Sequence, residues 1–143
     1  MRETMSSLAL HGQVHFRKES VNRRPVLIEA VSALPVQAIA VVAVRAPGTS
    51  QVEARRQCLR AIVESLQERD VARLVLDRTS GAADDGRTLR GARRPEPFLT
   101  FEHRSSREEP MLWVADGVAW AVGARGQWPA RLGPMLTGVI TFP

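Results

Sequence analysis

The chain has 143 residues, of which 44% are hydrophobic and 24% are charged. This length suits one domain with a sizeable hydrophobic core, and the composition excludes a wholly disordered chain. The single cysteine, Cys58, excludes an intrachain disulfide and a paired-cysteine zinc motif. We therefore expect one domain, residues 1–143, that folds without covalent or metal cross-links.

The sequence lacks the features of a signal peptide and of a membrane-spanning helix. Residues 1–10 carry polar and acidic side chains and no long apolar run. The longest apolar stretch, residues 38–44, is too short to cross a bilayer. By elimination, the sequence predicts a cytoplasmic protein with no membrane partner.

The formal net charge is +5, and nearly all of the basic side chains are arginine, with Lys18 the only lysine. Arginine binds phosphate in a bidentate fork, which favours nucleic acid as a partner. A second explanation is a GC-rich genome, whose codons favour arginine. Net charge alone leaves both explanations open.

The first half of the chain predicts a βαβ unit. A helix over residues 20–34 precedes a nearly continuously apolar strand, residues 36–44, of the kind that is covered on both faces. The clearest helix follows over residues 51–69, with a buried stripe that includes Val52, Leu59 and Val63. A second buried strand, residues 71–77, completes the unit. Strand, helix and strand in this order predict two parallel strands joined by a right-handed crossover.

The second half of the chain is less regular. Residues 78–94 are typical of a loop with a weak helix, and residues 98–103 predict a third strand near a sheet edge. Residues 110–122 predict an apolar helix that begins with proline. The structure of residues 123–143 stays open. The predicted fold class is α/β, a mixed sheet with a parallel βαβ core.

Asp116 is the most informative polar residue, because it shares a face of an apolar helix with Trp113 and Trp120. A carboxylate in such surroundings costs free energy unless it is paired, hydrogen-bonded or bound to metal. It is therefore either a metal-binding or catalytic acid, or a structural acid paired with another side chain.

Three other aspartates occupy positions where ligands or turns are common. Asp77 ends a predicted strand, where parallel sheets bind ligands, although turns also favour aspartate. Asp84 and Asp85 are adjacent and could together bind Mg²⁺ or cap a helix.

His15 and Glu19 lie one helical turn apart and predict either a metal or proton-sharing pair or a solvated surface pair. Arg87, Arg90 and Arg94 recur at helical spacing and predict a basic stripe. The stripe would contact phosphates or form a solvated face. The sequence indicates no partner for His103, and it places Arg55 and Arg56 on the solvent side of the long helix.

Three stretches together resemble a bacterial domain-of-unknown-function family with a ribonuclease-H-like fold, often met in actinobacteria. They are GQVHFRKES, VARLVLDR and EEPMLWVADGVAWAVG. The resemblance implies a nuclease in which a carboxylate cluster binds Mg²⁺ or Mn²⁺. It implies that Asp116 and Asp77 are catalytic metal ligands, and that Glu19 and His15 supply a further ligand or a proton shuttle.

The same resemblance places an acid of the active-site loop at Asp84 or Asp85. Members of the family usually begin with a strand bearing an Asp-Glu-Ser-Gly-like motif, and nothing like it precedes His15. This departure predicts either a natural start upstream of Met1 or an N-terminally shortened relative, with an exposed sheet flank that favours a homodimer. Two functions are expected: a metal-dependent nuclease, or a noncatalytic arginine-rich module that binds nucleic acid or protein.

Overall fold

The structure, a computed structural model, describes residues 16–44, 46–78 and 81–142. These residues combine helices and strands, which confirms the α/β class. In chain order the elements are α1 Arg23–Ser32, β1 Ala38–Ala43, α2 Gln51–Glu68, β2 Arg73–Asp77, α3 Ala82–Ala92, β3 Thr100–Arg104, α4 Met111–Ala124, α5 Trp128–Arg131 and β4 Leu136–Phe142. Short 3-10 turns occupy Phe16–Lys18 and Gly133–Met135.

The described residues group into two compact units. The first unit contains residues 16–40 and 105–139, and the second contains residues 41–104 and 140–142 apart from the undescribed positions. The expectation of one domain stays a prediction. None of the helices in the described ranges is both long and apolar enough to cross a membrane.

The predicted long helix is confirmed as α2, and its start has a clear local cause. Ser50 stands just before the helix, and its hydroxyl oxygen accepts a hydrogen bond from the Glu53 backbone N–H at 3.1 Å. This contact satisfies one of the backbone donors that a helix start leaves unpaired. Leu59 and Val63 are buried as predicted, but Val52 in the first turn is 52% exposed.

The predicted pairing of the first two strands is wrong. β1 pairs with β4, whereas β2 pairs in parallel with β3, so β1 and β2 belong to different two-stranded sheets in the described chain. The βαβ unit with parallel strands is therefore β2–α3–β3, one strand later along the chain than predicted. Each strand has one hydrogen-bonded neighbour there, and neither β1 nor β2 is buried throughout its length.

The crossover helix α3 occupies a segment that the sequence predicts as a loop with a weak helix. Its two glycines and two aspartates lower its helix propensity. Leu89 packs with no exposed surface into a core with Leu59, Val63, Leu76 and Leu99. Tertiary contacts therefore stabilise α3 where intrinsic propensity does not.

The core of the first unit is built on the apolar helix α4. Trp113 is 2% exposed, and its indole N–H donates a hydrogen bond to the Ser106 carbonyl at 2.7 Å. Phe16 is fully buried against Gly117, where an added Cβ would lie 2.8 Å from the phenyl ring. Glycine at position 117 is therefore what lets the Phe16–Lys18 turn approach α4 this closely.

Candidate functional site

Two consecutive arginines of α2 meet two consecutive aspartates in the first turn of α3. Arg55 donates hydrogen bonds from Nε and Nη2 to the two oxygens of Asp85, each at 2.7 Å. Arg56 donates to Asp84 in the same way, at 3.0 and 2.7 Å. Bidentate guanidinium–carboxylate pairs have a strict geometry, so this double pair sets how α2 and α3 meet.

Asp85 is the buried member of the pair, with 1% of its side chain exposed. Its hydrogen bonds from Arg55 hold the pKa of the Asp85 carboxyl below its ordinary value, and the contact with His103 lowers it further against the opposing effect of burial. His103 Nε2 lies 3.2 Å from Asp85 Oδ2. The sequence indicates no partner for His103, because the contact joins α3 to β3 and leaves no local spacing signal.

Asp84 is more exposed and interacts with two arginines. Besides Arg56 it has Arg87 Nη2 at 3.5 Å from its Oδ1. The hydrogen bonds from Arg56 are the main reason that the pKa of Asp84 is lowered, and the same bonds raise the pKa of Arg56. The carboxylate therefore stays ionised and orients the Arg56 guanidinium.

A cavity of about 480 Å³ lies beside this pair, along α2 and α3. Three guanidinium-bearing residues and one acid line it together with small side chains, and we call it the arginine groove: Arg56, Arg60, Asp84, Arg87, Thr88, Gly91 and Ala92. Arg60 also lies 3.3 Å from Glu53. Guanidinium groups gathered around a groove can bind the oxygens of a phosphate or carboxylate.

The predicted arginine stripe is only partly correct. Arg87 lines the groove, and Arg90 lies on the same helix with its guanidinium folded over Gly86. The helix ends at Ala92, so Arg94 does not continue the stripe. The Arg94 backbone instead pairs with the Gln67 side chain, donating to Oε1 at 3.0 Å and accepting from Nε2 at 2.8 Å.

Of the predicted pair His15 and Glu19, the structure describes only Glu19. His15 lies outside the described residues. Glu19 Oε2 lies 3.5 Å from Arg23 Nε, one helical turn away.

Asp116, which the sequence leaves between a metal ligand and a structural acid, accepts a hydrogen bond from the Phe16 backbone N–H at 3.0 Å. This bond ties the Phe16–Lys18 turn to α4.

Asp77 is exposed at the carboxyl end of β2, as predicted, and its neighbour across the parallel pair is Arg104. It belongs to the second unit, whereas Asp116 and Glu19 belong to the first. Within the described ranges no three His, Cys, Asp or Glu side chains form a group that could hold a metal ion. The metal roles of these residues stay predictions.

The ion pairs of Asp84 and Asp85 with arginines were not predicted from the sequence. A Mg²⁺ site and a helix cap were the two alternatives for them, but arginines of α2 bind both carboxylates. Tandem arginines on one helix and tandem aspartates on another are the signal that could have suggested this pairing.

Comparisons of the chain with protein-family models, with curated proteins and with solved structures find no match.

Proposed function

We propose that this chain is a nucleic-acid-binding module that contacts the phosphate backbone through the arginine groove. The observation that carries the proposal is the gathering of Arg56, Arg60 and Arg87 around one open groove beside a single aspartate. Nucleic-acid-binding surfaces commonly cluster arginine on one face, where the guanidinium forks match phosphate oxygens.

The groove arginines differ in how firmly they are held, and this difference suits phosphate binding. Arg56 is oriented by two short bonds to Asp84. Arg87 is held loosely, because it is 68% exposed and its contact with the Asp84 carboxylate is long, at 3.5 Å. Arg60 is 52% exposed. Exposed ion pairs of this kind contribute little to stability, so exchanging them for a phosphate costs little.

The test is a salt titration of binding to a short fluorescein-labelled DNA duplex, followed by anisotropy. The logarithm of the association constant should fall linearly with the logarithm of salt concentration. The double variant Arg60→Gln/Arg87→Gln should bind more weakly and reduce the slope by about 2, since each lost phosphate contact removes about 0.9.

A matched control removes the same charge outside the groove. Arg69→Gln/Arg73→Gln changes two exposed arginines of the second unit that do not line it. This variant should keep nearly the wild-type slope. An equal loss of DNA affinity in both double variants would show that the binding depends on net charge and not on the groove. An association constant that does not change with salt concentration would overturn the proposal.

The metal-dependent nuclease implied by the family resemblance is a second candidate. It is favoured by the exposed carboxylate of Asp77 at the carboxyl end of a parallel strand, the end of such sheets at which ligands bind. The ribonuclease-H-like fold and the Mg²⁺ or Mn²⁺ cofactor belong to this second candidate, whereas the cytoplasmic location and the homodimer stay separate predictions.

A further inference from the structure

The first unit carries a group of three aromatic rings, those of Phe16, Trp120 and Trp128. Trp120 and Trp128 form an edge-to-face pair with ring centroids 4.8 Å apart. The Phe16 ring stacks near Trp120 at 6.2 Å. Both tryptophans are half-buried, unlike Trp113, so each has an outer surface that reaches solvent.

Two arginines lie over these rings. The guanidinium carbon of Arg24 is 5.0 Å from the Trp120 ring centroid, and that of Arg131 is 5.0 Å from the Trp128 centroid. Arg24 also donates hydrogen bonds to the carbonyl oxygens of Phe16 and Arg17, at 3.1 and 3.0 Å. Arg24 is thereby fixed in place, whereas Arg131 is exposed.

Further positive charge borders the rings. Arg17 and Lys18 are exposed in the turn whose carbonyls bind Arg24. Arg125 is exposed as well, and its carbonyl accepts the Trp128 backbone N–H at 3.2 Å. Of the acids near this turn, Asp116 accepts the Phe16 backbone N–H, and Glu19 lies 3.5 Å from the Arg23 guanidinium. Exposed basic side chains therefore lie on the same chain segments as Phe16 and Trp128.

We propose that Trp120, Trp128 and the arginines over them form a stacking surface for the unpaired bases of single-stranded nucleic acid. A base can stack on the outer plane of the Arg131 guanidinium, which is backed by Trp128, while neighbouring basic side chains contact the phosphates on either side. Stacking on aromatic rings and guanidinium planes accepts any base, so the surface would bind with little sequence preference. The inference rests on the first unit alone and does not depend on the arginine groove.

Intrinsic tryptophan fluorescence tests the proposal with an oligothymidylate as the probe and linear polyphosphate as the control anion. Stacking of thymine over Arg131 and Trp128 should quench the fluorescence, and polyphosphate, which has no bases, should not. Trp128→Leu should weaken oligothymidylate binding roughly 5- to 150-fold, whereas Trp128→Phe, which keeps an aromatic ring, should retain most of it.

Arg131→Gln serves as the variant that leaves the core intact, because Arg131 is exposed. It should weaken oligothymidylate binding several-fold while the unfolding temperature stays near that of the wild type. Equal quenching by polyphosphate, or wild-type affinity in both Trp128→Leu and Arg131→Gln, would overturn the proposal.

The result is separable from that of the groove. Arg60→Gln/Arg87→Gln should reduce binding of duplex DNA, and Trp128→Leu should leave duplex binding unchanged. Loss of duplex binding in the tryptophan variant, with oligothymidylate binding intact, would contradict the assignment of stacking to this surface.

Discussion

Arg55 and Asp85 form a bidentate pair in which both hydrogen bonds are 2.7 Å long, yet the two partners differ greatly in exposure. The Asp85 side chain is 1% exposed and that of Arg55 is 46% exposed. Arg55 thus neutralises a buried carboxylate from the solvent side. Because His103 also contacts Asp85, one carboxylate links α2, α3 and β3 in the second unit.

Asp85→Asn should destabilise the second unit. The asparagine amide cannot accept both bonds from Arg55, so one donor loses its partner and the charge attraction disappears. We expect the free energy of unfolding to fall by about 2–3 kcal/mol, measured by urea denaturation. Asp70→Asn, at an exposed turn position of the same unit, should change it by less than about 0.5 kcal/mol and serves as the control.

The same pair makes stability depend on acid pH. Because the folded-state pKa of Asp85 is lowered below its ordinary value of 3.8, its contribution is present above that pH. The contribution is lost as the pH falls through the folded-state pKa. The unfolding temperature of the wild type should therefore drop more steeply below about pH 4 than that of Asp85→Asn. If the unfolding temperatures of the two proteins fell equally steeply below this pH, Asp85 would not have this role.

Gln67 should prove essential to the loop that follows α3. It is 2% exposed, and its amide nitrogen donates to the carbonyls of Arg94 and Pro97 at 2.8 and 2.9 Å. Gln67→Met keeps the volume but removes these part-buried hydrogen bonds and the one that Gln67 Oε1 accepts from the Arg94 N–H, so the free energy of unfolding should fall by about 2–4 kcal/mol. Glu64→Met, one turn earlier on the exposed side of α2, introduces the same side chain as a control and should be nearly neutral.

Two glycines of α4 should respond oppositely to alanine. An added Cβ at Gly117 would meet the Phe16 ring at 2.8 Å, whereas Gly123 has nothing within 4 Å. Gly117→Ala should therefore destabilise the first unit by about 1–2 kcal/mol even though alanine favours helix. Gly123→Ala should stabilise it by about 0.5–1 kcal/mol. Thermal unfolding of the two variants, each compared with wild type, shows directly which substitution stabilises and which destabilises the first unit.

Asp116 separates a structural role from a catalytic one. Asp116→Asn can still accept the Phe16 N–H through its amide oxygen, so its unfolding temperature should stay near that of the wild type. If the nuclease prediction is correct, this variant and Asp77→Asn should both lose Mn²⁺-dependent cleavage of nucleic acid. Intact cleavage in Asp116→Asn would show that this residue is not a metal ligand. Asp116→Ala should lose about 1–2 kcal/mol of stability in either case.

Local patterns predicted most elements, because their signals lie within one segment. The cap at Ser50 and the apolar periodicity mark α2, and the apolar run after Pro110 marks α4. Helix α3 was predicted only as a weak helix within a loop, since its stability comes from Leu89 in the core and from the arginines of α2, which lie about thirty residues away along the chain.

The sequence by itself determined the α/β class, the bounds of the long helix to within a residue and the excess of arginine. Those properties follow from side-chain type and spacing along one segment. Only the tertiary structure decided that β2 pairs with β3, that Asp84 and Asp85 bind arginines, and that Asp116 holds the turn at Phe16. Each of these depends on groups far apart in sequence, and a carboxylate becomes a metal ligand, an ion-pair partner or a hydrogen-bond acceptor according to what folding brings beside it.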